Sequence, residues 1–281
     1  MPRASTRSLI VTVLGLAVAL GGVARAQDGS GATLGEIHSK KPVAPPAPGG
    51  YPEELVLRPI VLPPLMGEGT LALHASHLES QVLWALEPGV AFAPLRGLEL
   101  AVAADLGLGT FSTLTFDHLG FAAHYAVVAG DPVSFAPGLS VRLCFDSFTC
   151  PDLPSELHID ATMHVLLGRR VLLVAGDDLI HRMEHTPVTG LTWFVNLALN
   201  AHVYFQVAPP FAVGVGTQLF SIALGGTGNT SRVLFKDYLP LDLRASYAVT
   251  RWLDLAVDFD AADLEHASDF WDLRLLAAAR F

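Results

Sequence analysis

Trp271-Asp272-Leu273-Arg274-Leu275-Leu276-Ala277-Ala278-Ala279-Arg280-Phe281 ends the chain as a ladder of alternating character. Trp271, Leu273, Leu275, Ala277, Ala279 and Phe281 share one parity, while Asp272, Arg274 and Arg280 fall on the other. Successive side chains of a strand point to opposite faces, so this pattern predicts a strand with one apolar and one charged face. The same period runs back to Glu68 and is clearest over 190–207. There Leu191, Trp193, Val195, Leu197, Leu199, Ala201, Val203, Phe205 and Val207 share one face, and Thr192, Asn196, Asn200, His202, Tyr204 and Gln206 the other.

Read this way, the chain holds about twelve strands: roughly 69–77, 82–93, 98–107, 112–129, 133–146, 156–168, 170–180, 190–207, 211–224, 232–249, 252–263 and 269–281. Each meets the roughly 9–11 residues that a tilted membrane-crossing strand needs. The links at 94–97, 130–132, 168–169, 208–210 and 250–251 are tight and mostly rich in Gly and Pro. They alternate with longer links at 108–111, 147–155, 181–189, 225–231 and 264–268. Short turns at one end and longer loops at the other are the pattern of an outer-membrane-type barrel.

Composition supports a chain solvated by lipid. Charged residues make up 16% of the sequence, against about 25% for an ordinary soluble domain. Mean hydropathy is +0.45, yet beyond the N-terminus no apolar run approaches the roughly 20 residues of a spanning helix. In hydrocarbon only a closed barrel then satisfies the backbone. A soluble barrel would put its apolar face inward and a Lys/Glu-rich face in water. After residue 26 the only lysines are Lys40, Lys41 and Lys236. Trp84, Phe92, Phe121, Tyr125, Trp193, Phe205, Tyr247, Trp271 and Phe281 lie mostly near strand ends on the apolar face, as interfacial girdles require.

The N-terminus reads as a secretory signal peptide over 1–26. Arg3 and Arg7 precede an apolar stretch from Leu9 to Val23, and Ala24-Arg25-Ala26 fits an A-x-A cleavage site. Residues 27–67 form a Pro/Gly-rich segment, with Pro59, Pro63 and Pro64 excluding a central strand. Its last part is expected to lead into the barrel or to enter its mouth. The chain carries 17 Lys+Arg against 27 Asp+Glu, and three of those arginines fall in the signal with no acid beside them. This acidic balance disfavours nucleic acid, and none is expected as a partner, since phosphate binding needs a basic footprint.

A terminal strand that is apolar on one face, charged on the other and ends on an aromatic resembles the closing strand of bacterial outer-membrane β-barrels. The resemblance is to the broad porin-like class over residues 68–281, without a specific family motif. It implies an all-β, membrane-spanning, antiparallel up-and-down barrel of about twelve strands in the outer membrane of a bacterial cell. It further implies outer-membrane lipids around the barrel and both termini in the periplasm. Phe281 and the apolar residues before it would be read by the barrel-insertion machinery.

By parity the lumen receives the polar residues. The densest charge is expected in the last three strands, where Asp242 and Arg244, then Asp254, Asp258 and Asp260, then Asp272 and Arg274 lie on adjacent strands. These seven are the candidate lumen and selectivity residues, either as ion pairs that stiffen the wall or as a cation-attracting constriction. Cys144 and Cys150 flank a short external stretch and are expected to form a disulfide in an oxidising compartment. Histidines such as His118, His124, His158 and His164 are expected to fill the lumen, and no metal site, catalytic residue or cofactor is assigned.

The expected function is a narrow passive porin-like channel or a structural barrel. The alternative is an outer-membrane lipid hydrolase. His74-Ala75-Ser76 and His266-Ala267-Ser268 place His and Ser on one strand face, resembling the dyad of such hydrolases, including outer-membrane phospholipase A. Beyond the dyad the longer motif of those enzymes is missing, since His77 and Asp269 follow the two serines. A third reading has the external loops bind a partner.

Overall fold

The computed structural model describes residues 51–281 except 79–80, 110–113, 131, 146–154, 187–190, 228–229, 236–239, 262 and 264–269. The expected signal peptide and residues 27–50 lie outside the described residues. Among the described residues, fourteen strand segments follow a short 3-10 turn at Leu55–Leu57. They are β1 (Gly67–Leu78), β2 (Gln81–Leu95), β3 (Leu98–Gly109), β4 (Thr115–Tyr125), β5 (Val133–Cys144), β6 (Ser155–Leu167), β7 (Val171–Ala175), β8 (Ile180–Thr186), β9 (Leu191–Ala208), β10 (Phe211–Thr227), β11 (Thr230–Phe235), β12 (Leu241–Thr250), β13 (Leu253–Ala261) and β14 (Phe270–Arg280).

Each segment pairs antiparallel with its neighbours, and β14 returns to β1 from Glu68↔Arg280 to Leu78↔Phe270. β7 and β8 both lie between β6 and β9, so they are two halves of one stave. β11 and β12 both pair with β10 and form another. The result is a barrel of twelve staves that the β14–β1 pairing closes.

Two expected loops hold strand instead. The links at 181–189 and 225–231 carry most of β8, the end of β10 and the start of β11. His181, Arg182, Gly225 and Gly226 read as loop residues by polarity and size. Their backbone nevertheless continues the ladder, because β9 and β10 extend far enough to offer partners there.

The two faces sort as alternation demands. Leu71, Val90, Val102, Leu197, Leu243, Leu255 and Leu275 are exposed on the outside. Alternating with them, Ala72, Ala198, Ala223, Ala256 and Ala278 are buried on the inside together with Asn196, Asp254 and Asp258. A soluble fold would reverse this order. An apolar exterior over a polar interior suits a barrel whose outer solvent is hydrocarbon.

Bulges correct the parity at defined places. Between Ala175 and Ile180 the chain spends four residues where β6 spends three, from Ile159 to Met163, and β9 spends three, from Leu197 to Ala201. One extra residue switches which parity faces inward. Leu172 and Val174 point in before the bulge, and His181 points in after it. Gly176 and Asp178 take up the turn with positive φ values of 84° and 51°. A second shift between Gln218 and Phe220 leaves Leu219 facing outward at 62% exposure.

Candidate functional site

The acidic wall sits where β12, β13 and β14 run side by side. Register sets Arg244 opposite Asp258 and Asp258 opposite Arg274, with Arg244 Nε 3.3 Å from Asp258 Oδ1. Arg274 turns the other way and donates to Glu87 Oε1 at 3.2 Å. One rung outward, Asp242, Asp260 and Asp272 stand in a row on the same three strands. Asp242 lies 3.8 Å from His202 Nδ1, and Asp272 accepts from Ser76 and lies 3.5 Å from His74 Nδ1. The row gathers three carboxylates whose charges are not matched within it.

Asp254 belongs to a different site. It lies near the short-turn end, where residues 51–66 fold into the mouth of the barrel. Arg58 makes a two-pronged ion pair with it, the second prong from Nη2 to Oδ1 at 2.9 Å. Arg280 reaches the same carboxylate at 2.7 Å and Glu68 at 2.8 Å. The Tyr51 ring stacks beneath both guanidinium groups, 5.3 Å from Arg58 and 4.8 Å from Arg280. Burial pushes the Tyr51 phenol up, against the pull of the two arginines, so it stays neutral. Arg58, Arg280 and Asp254 keep only 8%, 7% and 10% of their side-chain surface accessible.

The rest of the segment spans the mouth. Val56 N–H donates to Gln206 Oε1 of β9 at 3.1 Å, and Leu62 N–H to Glu99 Oε2 of β3 at 2.8 Å. Val56 packs on Leu172 and Val174 of β7, with Leu57, Leu166 and Tyr204 around them. Proline denies this segment a strand's hydrogen bonds, and inward side chains of two staves, β3 and β9, accept from its backbone instead. The expectation that this stretch enters the mouth gave no partner. Arg58 is the functional residue that sequence reasoning missed. Its signal was a lone arginine in an apolar run whose flanking prolines excluded a strand.

The His74–Ser76 pair does not form a nucleophile–base couple. His74 Nε2 bonds Glu87 Oε2 at 3.1 Å, its Nδ1 faces Asp272, and the Ser76 hydroxyl is given to Asp272 as well. Both side chains also point into the lumen, away from the lipid on which such a hydrolase acts. His266 and Ser268 lie outside the described residues.

Several inward rings act as fillers, and their seats are glycines. His124 lies over Gly138, Tyr204 over Gly214 and His202 over Gly216, each pair directly opposed in the ladder. A Cβ on those glycines would come within 2.2, 2.5 and 2.1 Å of the ring atoms. Cys144 ends β5 and is buried. Its expected partner Cys150 lies outside the described residues.

No protein-family model matches the chain. No curated protein resembles it in sequence at a significant level. Solved structures do resemble it in shape. One is the KdgM porin, at 8% identity and TM-score 0.48, over 75% of this chain and 99% of that one. Another is the COG4313 outer membrane channel from Pseudomonas putida F1, at 12% identity and TM-score 0.45, over 84% of this chain and 99% of that one. A third is the Acinetobacter baumannii outer membrane protein Omp33, at 12% identity and TM-score 0.40, over 77% and 98%. At these identities the likeness concerns the barrel itself.

Proposed function

We propose that the protein is a passive outer-membrane channel for small polar solutes, favouring cations, whose periplasmic mouth is narrowed by residues 51–66. One observation carries this reading. Away from the mouth several inward charges stay wet: Arg142, Arg244, Arg274 and Asp272 keep 40%, 34%, 33% and 30% of their side-chain surface accessible, although Asp258 between the last two arginines keeps 9%. A barrel filled by its own side chains would dry them, as the latch at the mouth is dried. Glu87, Asp105, Glu156 and Asp160 add to the acidic lining, and rings of one sign concentrate the opposite ion.

The orientation follows the usual asymmetry of such barrels, with short turns and both termini in the periplasm. The reading includes the signal peptide over 1–26 and a disulfide between Cys144 and Cys150, both suited to an oxidising envelope. Phe281 serves as the handle for barrel insertion.

Single-channel recording in planar bilayers tests the function. Steady conductance with a cation-to-anion permeability ratio above one is expected. Silence from a correctly folded barrel would overturn the reading and leave a structural barrel. Silence together with hydrolysis of added phospholipid would put the hydrolase ahead.

A further inference from the structure

We propose that Glu156, His158 and His181 form a binding site for a divalent transition-metal ion of the zinc class on the lumen wall. Glu156 and His158 lie two residues apart on the inward face of β6, and His181 of β8 stands directly opposite His158 in the ladder. The bulge at 176–179 brings this about by turning the odd-numbered His181 inward.

The two histidines differ from the filler rings. His124 and His202 each lie on a glycine. His158 and His181 have Ser140, Asn196 and each other as cross-strand neighbours. They stack ring to ring, with centroids 4.1 Å apart and planes 15° apart. Their Nε2 atoms converge on Glu156 Oε2, at 3.4 Å from His158 and 3.8 Å from His181. The three donor atoms lie within 4.8 Å of one another.

These spacings are loose for hydrogen bonds, which favour about 2.7–3.2 Å. They are close to the roughly 3.4 Å edge of a tetrahedron built on metal–ligand bonds of about 2.1 Å. His181 Nε2 is shielded from solvent and has no hydrogen-bond partner among the described residues. An imidazole nitrogen buried without a partner is costly, and a metal ion would satisfy it.

The outer contacts suit the same role. Asp178 Oδ1 lies 2.6 Å from His158 Nδ1. A proton held there would leave Nε2, beside Glu156 Oε2, as the nitrogen that binds the metal once the ion displaces its proton. Asp178 is itself held by its backbone N–H, which donates to Asp160 Oδ1 at 2.7 Å. Arg142 is the competing cation, with Nη1 3.8 Å from Glu156, but its other nitrogen is engaged by Asp105 at 2.9 Å.

Two imidazoles and one carboxylate select zinc, cobalt or nickel over magnesium and calcium, which prefer oxygen. Three protein ligands leave the fourth position to a water or a passing solute. The site stands whether or not the lumen conducts.

The test is titration of the refolded, full-length barrel in detergent with Co2+, read as visible d–d absorption, followed by displacement with Zn2+. One tetrahedral ion per barrel is expected, displaced by Zn2+ and not by excess Mg2+. His181→Ala and Glu156→Gln should each weaken binding by at least tenfold. Asp178→Asn, which removes no ligand, should weaken it by about 10–100-fold. His124→Gln should leave it unchanged, and heat-modifiable gel mobility confirms that each variant is folded. Absence of a one-to-one complex at submillimolar Co2+ would overturn the proposal. So would variants that bind like the parent, or Mg2+ that competes as well as Zn2+.

Discussion

Arg58 and Asp254 are 196 residues apart in sequence and form a two-pronged, almost fully buried ion pair at the mouth of the barrel. The pair joins a segment that makes no strand to the inner wall of β13. Breaking a buried pair by removing one partner costs about 3–5 kcal/mol, because the other charge is left in a dry site. That cost falls on the docking of residues 51–66, since the barrel is closed by its own ladders. Arg58→Ala should therefore raise single-channel conductance and expose residues 51–66 to protease while heat-modifiable mobility stays unchanged. Parental conductance and protection would remove the segment as a constriction.

The outer face sets a depth-dependent cost for charge. Leu197 sits mid-strand on β9 and is exposed outward, whereas Trp252 lies in the tight turn before β13. Leu197→Arg should cost about 2–4 kcal/mol and Trp252→Arg about 0–1 kcal/mol, measured by reversible unfolding in lipid vesicles. Equal costs would mean that Leu197 does not face hydrocarbon.

The row of Asp242, Asp260 and Asp272 should govern ion preference. Asp242→Asn with Asp260→Asn should lower the cation-to-anion permeability ratio. The drop should be larger at 0.1 M than at 1 M salt, where the screening length shrinks from about 10 Å to about 3 Å. Asp254→Asn should instead mimic Arg58→Ala, because Asp254 is spent on the latch. An unchanged ratio in a conducting double variant would end the case for this row.

Gly214 is the seat of Tyr204, which in turn borders the Val56 cluster. Gly214→Ala would place a methyl 2.5 Å from the ring and should cost about 1–3 kcal/mol. Adding Tyr204→Ala should relieve much of that loss, and the double-mutant cycle measures the coupling. Strict additivity would show that the ring does not rest on the glycine.

The staves were legible because an apolar surrounding outside and a polar interior impose one period on every strand, and Leu191 to Val207 carries it without interruption. Where a bulge adds a residue, the parity shifts. His181 and Arg182 lie on β8 beyond a bulge, so a strict count of odd and even positions left them in a loop. The grouping of Asp254 with Asp258 and Asp260 followed the same parity, and the shared face is real. What separates them is height along the barrel and the arrival of Arg58, a residue with no period to betray its target. Lateral partners follow from register, but contacts made by an irregular segment depend on where its prolines steer it.

The latch at the mouth also carries a constraint on assembly order. Arg58 is synthesised before any strand, while Asp254 and Arg280 come with the last two. Gly67 and Phe281 exchange both backbone hydrogen bonds across the seam, at 2.9 and 3.0 Å. The Arg58–Asp254–Arg280 cluster therefore cannot be complete until the final strand is in place. A closed latch is thus a mark of a completed ring, and it ties the first inward segment to the last strand.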